Sequence, residues 1–377
     1  MSPFRRALGR ELWHLRHSRW DLVGLIVMPA ILLFLVSAML WHGAMRDVPL
    51  IVVDCDGSAA SREMIRVLDA SPMIHVTTYR TNEEQAVRDV RRDDAMGFIH
   101  LPAGLGEGLR THRTPVVRVL YNASFLSAGM LLARGVEEAM QDAAPAIIAG
   151  QLSAHGLPPV RTRRIVVEAT ALGNPASSFE WYLGLLIYPA VLHLLTACVC
   201  ALALGRELQG RSLARWASES GGITPALVGK MLPYVAVVSL WGVVWLLYLT
   251  LGRGWRVDGS IALIVAAQTL FYAATAAISS LLIAATRETA TALSASAVYA
   301  GSALAYSGAT LPLNGAHLFA RFWSNVLPLT HYVALQMGQI SDLAPTAAIS
   351  PALALLGYVV IAGGIAVLLI ARQARRA

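Results

Sequence analysis

Six stretches of the chain are apolar throughout and contain no Asp, Glu, Lys or Arg. Each is close to the ~20 residues that an α-helix needs to cross the hydrocarbon of a bilayer. The pattern therefore predicts an α-helical membrane protein with six transmembrane helices. The predicted spans are Leu22–His42, Leu183–Leu204, Met231–Leu251, Ile261–Ala285, Ala290–Leu311 and Ala352–Ile370.

The first 21 residues have the pattern of an amphipathic helix that lies in the membrane interface. Phe4, Leu8, Leu12 and Leu15 share one helical face, and Arg and His side chains lie opposite. Two roles are open for this helix, which are anchoring in the membrane surface and contact with a partner protein.

Residues 43–182 separate the first span from a five-helix bundle at residues 183–371, and they have the pattern of a water-soluble α/β domain. Strand-like runs alternate with amphipathic helical segments. A segment of this length is translocated whatever its charge, so we expect it outside the membrane. The predicted strands are Pro49–Asp54, Met73–Tyr79, Ala95–Leu101, Val116–Tyr121 and Arg163–Ala169, with a long amphipathic stretch from Ser124 to about Gln151 before the last strand.

Arginine is concentrated in residues 1–21, in residues 205–230 and in the tail at residues 372–377. By the positive-inside rule these segments, and hence both termini, are predicted to be cytoplasmic. Arg253 and Arg256, between the third and fourth spans, are mild exceptions. The formal charge of +7 suits anionic lipid headgroups, so no nucleic-acid partner is needed to explain it.

Several kinds of chemistry find no support in the sequence. The three cysteines, Cys55, Cys198 and Cys200, cannot form a disulfide framework and lack neighbouring ligands for a metal ion. Asp54 and Asp56 flank a turn and belong to no recognisable catalytic set. Because the spans contain no carboxylate that could relay protons, we expect the energy for any transport to enter elsewhere.

The segment after the second span carries the pair Arg206-Glu207, then Gly210, and later the pair Gly229-Lys230. These residues resemble the cytoplasmic loop of the membrane subunit of ABC-2 type exporters. The chain has Arg211 and Ser212 directly after Gly210, where relatives usually have Thr, so the details of coupling there are open.

The resemblance extends along nearly the whole chain, and the order of its motifs is more specific than any one of them. The motif pair near the end matches the family in spacing as well as residue type. The similar segments are Val52-Val53-Asp54, Gly97-Phe98-Ile99-His100-Leu101-Pro102, Asn174-Pro175, Tyr306-Ser307-Gly308-Ala309-Thr310-Leu311-Pro312 and Leu327-Pro328-Leu329-Thr330-His331-Tyr332.

The resemblance implies the permease subunit of an ATP-driven exporter in a bacterial inner membrane. Such a permease pairs with a second permease subunit, as a homodimer or a heterodimer, and with ATPase subunits that bind ATP and Mg²⁺; a periplasmic adaptor is compatible with this assembly. The cargo is expected to be amphipathic, drug-like or lipid-like. No cofactor is expected in this chain, because Thr224 and Met231 replace the Gly and Ser or Thr that a phosphate-binding loop needs around Gly229-Lys230.

The resemblance assigns coupling to the ATPase to a loop. Glu207 is expected either to contact a cationic surface of the ATPase or to pair with Arg211 one helical turn away, and its loss is expected to spare folding. The predicted coupling residues are Arg206, Glu207, Gly210, Arg211 and Ser212.

Other polar and small residues of the predicted bundle leave two interpretations open. One interpretation is that a substrate pathway is lined by His193, Gln268 and Tyr306. The other, for His193 and Gln268, is that their side chains only form hydrogen bonds between helices. A strip of Ala297, Gly301 and Ala305 lies at a subunit interface or in the bundle core.

The proline-broken segment from residue 312 to residue 351 is expected to form an outer gate with short helices, and its predicted residues are Pro312, Pro328 and Thr330. The alternative to an exporter is a membrane-anchored sensor or assembly protein whose α/β domain binds a ligand.

Overall fold

The computed structural model describes residues 2–41, 47–92, 94–110, 116–121, 132–141, 178–209, 212–310, 316–341 and 344–375. The chain divides into two compact units. The α/β unit is Ala44–Ala169, and the helical unit consists of Met1–Gly43 and Thr170–Ala377.

Helices form most of the described chain, and strands occur in the α/β unit. The helices are α1 (Pro3–His17), α2 (Arg19–Met39), α3 (Ala59–Asp69), α4 (Glu83–Arg91), α5 (Leu105–Arg110), α6 (132–141), α7 (Phe179–Gln209), α8 (Leu213–Glu219), α9 (Ile223–Leu247), α10 (Ile261–Thr286), α11 (Thr289–Ser302), α12 (Leu318–Val326), α13 (Pro328–Ile340) and α14 (Ile349–Ala374). The strands are β1 (Val48–Asp54), β2 (Ile74–Arg80), β3 (Gly97–Leu101) and β4 (Arg118–Tyr121).

The described strands of the α/β unit form one sheet in the order β2-β1-β3-β4. β1 is parallel to both of its neighbours, and β4 runs antiparallel to β3. β1 is buried on both faces, because Leu50 and Val52 pack in a cluster with α3 while Ile51 and Val53 pack in a second cluster with α4. An unbroken apolar run is typical of such a central strand. The predicted strand Arg163–Ala169 lies outside the described residues.

In the described part of the helical unit, α2, α7, α9, α10 and α14 are long and apolar enough to cross a membrane. Many large apolar side chains are exposed on these helices; for example, Phe34 is 69% exposed and Leu251, just after α9, is 81% exposed. In water these surfaces would be unfavourable, whereas hydrocarbon is their natural solvent. The chain is a multi-pass membrane protein.

The predicted span Ala290–Leu311 is not confirmed. Its helix, α11, has 14 residues and ends at Ser302, so it is about 21 Å long where the hydrocarbon core measures ~30 Å. The chain then turns: Gly308 has φ +78°, and the Ser307 hydroxyl donates to the Leu304 carbonyl at 2.7 Å. The Ser307 side chain thus bonds to the backbone within the turn that follows α11, as Ser side chains commonly do outside helices.

Two short helices, α12 and α13, follow and meet at Leu327. Leu327 has an extended backbone because the residue before a proline disfavours the helical region. The Gln336 side chain of α13 donates to the Leu185 carbonyl of α7 at 2.8 Å, which holds α13 inside the unit. α12 instead exposes Leu318, Phe319 and Phe322, as a helix at a membrane surface does.

Candidate functional site

The N-terminal helix α1 packs directly on the beginning of α9. A Cβ atom added at Gly229 would lie 2.7 Å from the Ala7 Cβ and 3.1 Å from the Leu8 nitrogen, so only glycine allows this approach. The buried residues of α1 are Ala7, Glu11 and Leu15. The predicted apolar face of Phe4, Leu8, Leu12 and Leu15 is therefore not the buried face of α1. Leu12 is 44% exposed, and the buried face contains the carboxylate of Glu11.

Glu11 and Lys230 form the centre of a buried charge cluster. The Lys230 ammonium, in a residue that is only 2% exposed, lies 2.7 Å from Glu11 Oε2 and 3.1 Å from Glu207 Oε1. The Tyr234 hydroxyl, one turn further along α9, donates to Glu11 Oε1 at 2.8 Å. One lysine thereby joins α1, α7 and α9.

Arg206 of α7 extends the cluster to α2. Its guanidinium donates to both carboxylate oxygens of Asp21 at 2.8 Å and to Glu11 Oε1 at 3.0 Å. It also donates to the Tyr234 hydroxyl at 2.8 Å. Asp21 is 7% exposed, so this pairing also shields a carboxylate at the edge of the first span.

Three further side chains complete the cluster at its rim. Arg10 donates to both oxygens of Glu207 at 3.1 Å, and the Ser212 hydroxyl donates to Glu207 Oε2 at 2.6 Å. His14 Nε2 lies 2.9 Å from Asp21 Oδ2. We use the name charge cluster for Arg10, Glu11, His14, Asp21, Arg206, Glu207, Ser212, Lys230 and Tyr234.

The charge cluster is internally satisfied. All six oxygens of its three carboxylates have a hydrogen-bonding partner within it, and the charges of Arg10, Arg206 and Lys230 balance those carboxylates. Among the residues that the structure describes, no group of acidic, His and Cys side chains could hold a metal ion. The arrangement is suited to fixing α1, α2, α7 and α9 relative to one another, because removal of one partner leaves a buried charge uncompensated.

Helix α8 connects the end of α7 to the start of α9 and lies beside the charge cluster. Leu213 and Trp216 anchor α8 in the core, at 4% and 2% exposure, while Arg215, Ser218 and Glu219 are exposed. The Arg215 side chain donates to Glu219 Oε1 at 2.7 Å, and this hydrogen bond lowers the pKa of the Glu219 carboxyl. Arg10 lies 3.5 Å from the same carboxylate, so α8 also contacts α1.

The described coupling residues do not lie in a simple loop, because they belong to the end of α7 and the start of α8. Arg206 and Glu207 lie in the last turn of α7, and Glu207 is 5% exposed. Its described partners are Arg10, Ser212 and Lys230, and Ser212 is the N-cap residue of α8. Gly210 and Arg211 lie outside the described residues. α8 presents exposed side chains beside this site, and so does α1, where Trp13 is 64% exposed.

His193, Gln268 and Tyr306, which the sequence suggests for a substrate pathway, have no hydrogen bond to one another among the described residues. His193 is fully buried, with Nδ1 2.8 Å from the Thr275 hydroxyl, and its Nε2 has no partner among the described residues. Gln268 is 2% exposed and donates to the Ser239 carbonyl at 3.1 Å. Tyr306 lies in the turn after α11. A role in a pathway stays a prediction for all three.

The predicted gate residues can be placed only in part. Pro328 is the first residue of α13, and the Thr330 hydroxyl lies 3.4 Å from that of Ser324 on α12. Pro312 lies outside the described residues. These contacts fix the angle between α12 and α13, and a gating role stays a prediction.

The strip of small residues on α11 and beyond has a clearer position. Ala297, Gly301 and Ala305 are exposed, and a Cβ atom at Gly301 would meet nothing within 4 Å. The strip therefore does not lie in the core of this chain.

Sequence reasoning missed Glu11, Asp21, Tyr234 and the role of Lys230. One available signal was that Lys230 is the only lysine among 30 basic residues. Sequence reasoning also missed a second buried ion pair, in which Arg253 Nε lies 2.5 Å from the buried carboxylate of Glu180.

Comparison with known families identifies the architecture. The family described as "ABC-2 family transporter protein" matches residues 19–370. No curated protein matches the sequence.

Proposed function

Since the chain belongs to the ABC-2 family of transporter proteins and is a permease subunit of an ABC transporter, we propose that it exports an amphipathic, drug-like or lipid-like substrate across the bacterial inner membrane. A separate ATPase chain binds ATP with Mg²⁺, and a second permease subunit, identical or related, completes the transporter. The family match includes both the α/β unit and the spans, which favours a permease over a membrane-anchored sensor.

The observation that carries the mechanism is the position of α8 beside the charge cluster. α8 is anchored by Leu213 and Trp216 and presents Arg215, Ser218 and Glu219 to solvent. A short helix with a charged outer face is suited to dock on another protein, because complementary charges at a polar rim select the partner. We assign the ATPase contact to this face.

The charge cluster then transmits movement of α8 to the spans. Ser212 bonds Glu207 immediately before α8, and Arg10 bonds both Glu207 and Glu219. Because the buried ion pairs are expensive to separate, α1 and the inner ends of α7 and α9 respond together. The coupling role of Glu207 is thus indirect: it holds α8 to the spans and does not itself touch the ATPase.

A charge reversal on α8 tests the docking surface. The double variant Arg215→Glu with Glu219→Arg keeps an ion pair along α8 and reverses its outer charges, and it also removes the exposed 3.5 Å contact of Glu219 with Arg10. We expect the tagged full-length chain to lose the ATP hydrolysis activity that co-purifies with the parent from native membranes, by about tenfold or more, as for disrupted charged contacts. Purified chain freed of its partner is expected to bind no ATP.

The matched control is the reversal Glu63→Arg with Arg66→Glu, which exchanges an exposed helical ion pair in the α/β unit. The control should retain co-purified ATPase activity. Equal retention by the α8 variant would exclude α8 as the docking surface, and ATP binding by the isolated chain would exclude a separate ATPase.

A further inference from the structure

Cys55 lies at the edge of the sheet of the α/β unit where the parallel strands β1 and β3 end. β2 lies on one side of β1 and β3 on the other, so the crevice between the carboxyl ends of β1 and β3 is a topological switch point, where α/β sheets commonly bind ligands. Cys55 directly follows β1, and its backbone N–H donates to the Leu101 carbonyl of β3 at 3.0 Å. The sheet therefore fixes the position of this exposed cysteine.

The two carboxylates beside Cys55 are held by the chain itself. Asp54 accepts from the backbone nitrogens of Asp56 and Gly57 at 2.9 and 3.0 Å. Asp56 in turn accepts from the Gly106 nitrogen at the start of α5, at 3.1 Å. Such bonds are typical of aspartates in turns and at helix ends. They leave the Cys55 thiol as the reactive group of this segment.

The Cys55 sulfur faces an imidazole, since its Sγ lies 3.6 Å from His100 Nε2. Arg118 of β4, which pairs with His100 in the sheet, places its Nη2 3.4 Å from His100 Nδ1. A guanidinium can only donate a hydrogen bond, so Nδ1 is the acceptor of that contact. We therefore assign the proton of the neutral ring to Nε2, where it points toward the Cys55 sulfur.

This arrangement has the pattern of an activated nucleophile, in which a ring nitrogen lies beside the reactive atom and a third group orients the ring. The third group here is Arg118, which Glu83 Oε2 holds at 3.2 Å. An N–H donor beside the sulfur stabilises the negative charge of an attacking thiolate. The four side chains thus give Cys55 a setting for reaction that an isolated surface cysteine does not have.

The sequence restricts what Cys55 can react with. It is the only cysteine of residues 44–169, and the other two cysteines lie within α7, where Cys198 is half-buried and Cys200 is buried. An unpaired cysteine in a segment that is predicted to be extracytoplasmic is typical of a reactive thiol or of a link to another molecule. Any disulfide of Cys55 is therefore expected to form with sulfur from outside the chain.

We propose that Cys55 is a thiol–disulfide exchange site that reacts with a low-molecular-weight disulfide. Cys55 loses its proton to water, and its thiolate attacks one sulfur of the disulfide. A bond forms between the two sulfurs, the original S–S bond breaks, and the other half of the disulfide leaves as a thiolate. The disulfide itself is the oxidant, so no further reagent is needed.

A Cys55–Cys55 link between two copies of the chain suits this site less well. The two Cα atoms would have to approach within about 7 Å, which would bring the Asp54 and Asp56 carboxylates of both copies close together, and like charges at short range repel. A small disulfide reaches the exposed sulfur without this repulsion. The exchange site goes beyond the export function and requires no knowledge of the cargo.

The test uses the purified full-length chain in detergent with Cys198→Ala and Cys200→Ala, so that Cys55 is its only thiol. Excess dithiobisnitrobenzoate, a small aromatic disulfide, releases a coloured thiolate whose absorbance gives the exchange rate. His100→Ala should exchange about fivefold more slowly, because it removes a hydrogen bond to a charged sulfur. The matched control is His75→Ala, which removes an exposed histidine that pairs with Pro49 at the opposite end of β1; it should exchange at the parental rate.

Arg118 is a positioning residue, and a double-mutant cycle separates its role from an effect on folding. Arg118→Leu should slow exchange by about twofold, because the imidazole is then free to adopt either tautomer. In the His100→Ala background the same change should have no further effect, since the ring through which Arg118 acts is absent. A general loosening of the sheet would slow or accelerate exchange in both backgrounds.

Incubation of the natural full-length chain with oxidised glutathione identifies the product. Mass spectrometry of the intact chain and of its tryptic peptides should find one glutathione attached through sulfur at Cys55, and dithiothreitol should remove it.

Two results would overturn the proposal. One is a parental exchange rate in His100→Ala, and the other is an unmodified chain or a Cys55-linked dimer in place of the glutathione adduct. If His100→Ala does not fold, as judged by circular dichroism and gel filtration, Arg118→Leu decides the question, and a parental rate in that variant rejects the site. Because the measurement is thiol chemistry of the purified chain, its failure is distinguishable from a failure of ATP-driven export.

Discussion

Lys230 is the only lysine of the chain, and it occupies an enclosed position between two carboxylates of the charge cluster. Its compact ammonium fits between Glu11 and Glu207 at 2.7 and 3.1 Å. The planar guanidinium of arginine is larger and carries five donors, so it is not an equivalent replacement. The preceding Gly229 brings α1 close enough for Glu11 to reach this ammonium.

We predict that Lys230→Met lowers the stability of the helical unit by about 3–5 kcal/mol, because it leaves buried carboxylates without their shared cation. Thermal unfolding of the detergent-purified chain, followed by circular dichroism, measures this loss as a lower midpoint. Arg256→Met removes an exposed cation and should leave the midpoint unchanged. A parental midpoint in Lys230→Met would mean that the charge cluster contributes no net stability.

We predict that Gly229→Ala loosens α1, since the added Cβ would lie 2.7 Å from the Ala7 Cβ and overpacking of this kind costs ~1–3 kcal/mol. Tryptic cleavage after Arg16, followed by mass spectrometry of the released peptide, should accelerate by about tenfold. Gly9→Ala is the control, because a Cβ at Gly9 meets nothing within 4 Å. Equal cleavage rates in the two variants would contradict the close contact.

The sequence could identify Arg206 and Glu207 by their motif but not their partners. Arg206 bonds Asp21 and Glu11 across 185 and 195 residues of chain, and helical periodicity carries no information about such pairs. Glu11 was hidden because a carboxylate is expected on the outer face of an amphipathic helix. For the same reason, Glu207→Ala is now expected to harm folding, contrary to the expectation from sequence.

At the scale of elements, apolar length predicted the five spans that the described helices support, and the sixth is not confirmed. The segment from Ala290 to Leu311 has the length and composition of a span, yet its helix stops at Ser302. Hydropathy measures the transfer of side chains into lipid and does not report backbone turns, such as the one after α11 in which Ser307 bonds to the Leu304 carbonyl. The breaks at prolines were easier to predict, because proline restricts the residue before it.

We predict that the exposed strip on α11 contacts the second permease subunit. Small residues let helix backbones approach closely in a membrane, and Gly301→Leu would separate them. The variant should show a weaker dimer, by about tenfold, in cross-linking or mass photometry of the reconstituted chain. Gly357→Leu, an equal substitution on α14, should leave the dimer intact, and an unaffected Gly301→Leu dimer would place the interface elsewhere.

At the scale of the whole molecule, the division into an α/β unit and a helical unit could be predicted from composition, since charged and apolar residues are segregated along the chain. Which side of the membrane each part occupies is a separate question that the arginine bias addresses only statistically. Arg253 and Arg256 remain mild exceptions to that bias. A direct measurement of sidedness can use a cysteine that the chain already has.

We predict that Cys55 is extracytoplasmic and that α8 is cytoplasmic. Cys55 is exposed in the α/β unit, whereas Cys200 is buried and Cys198 half-buried within α7, so a membrane-impermeant maleimide should label intact spheroplasts at Cys55. In a Cys55→Ser background, Ser218→Cys on the exposed face of α8 should be labelled only after the membrane is permeabilised. Labelling of Ser218→Cys in intact spheroplasts with protection of Cys55 would invert the topology, and the ATPase could then not dock on α8. Labelling at Cys55 therefore tests the orientation of the chain, and labelling at Ser218→Cys tests whether α8 faces the side on which the ATPase must dock.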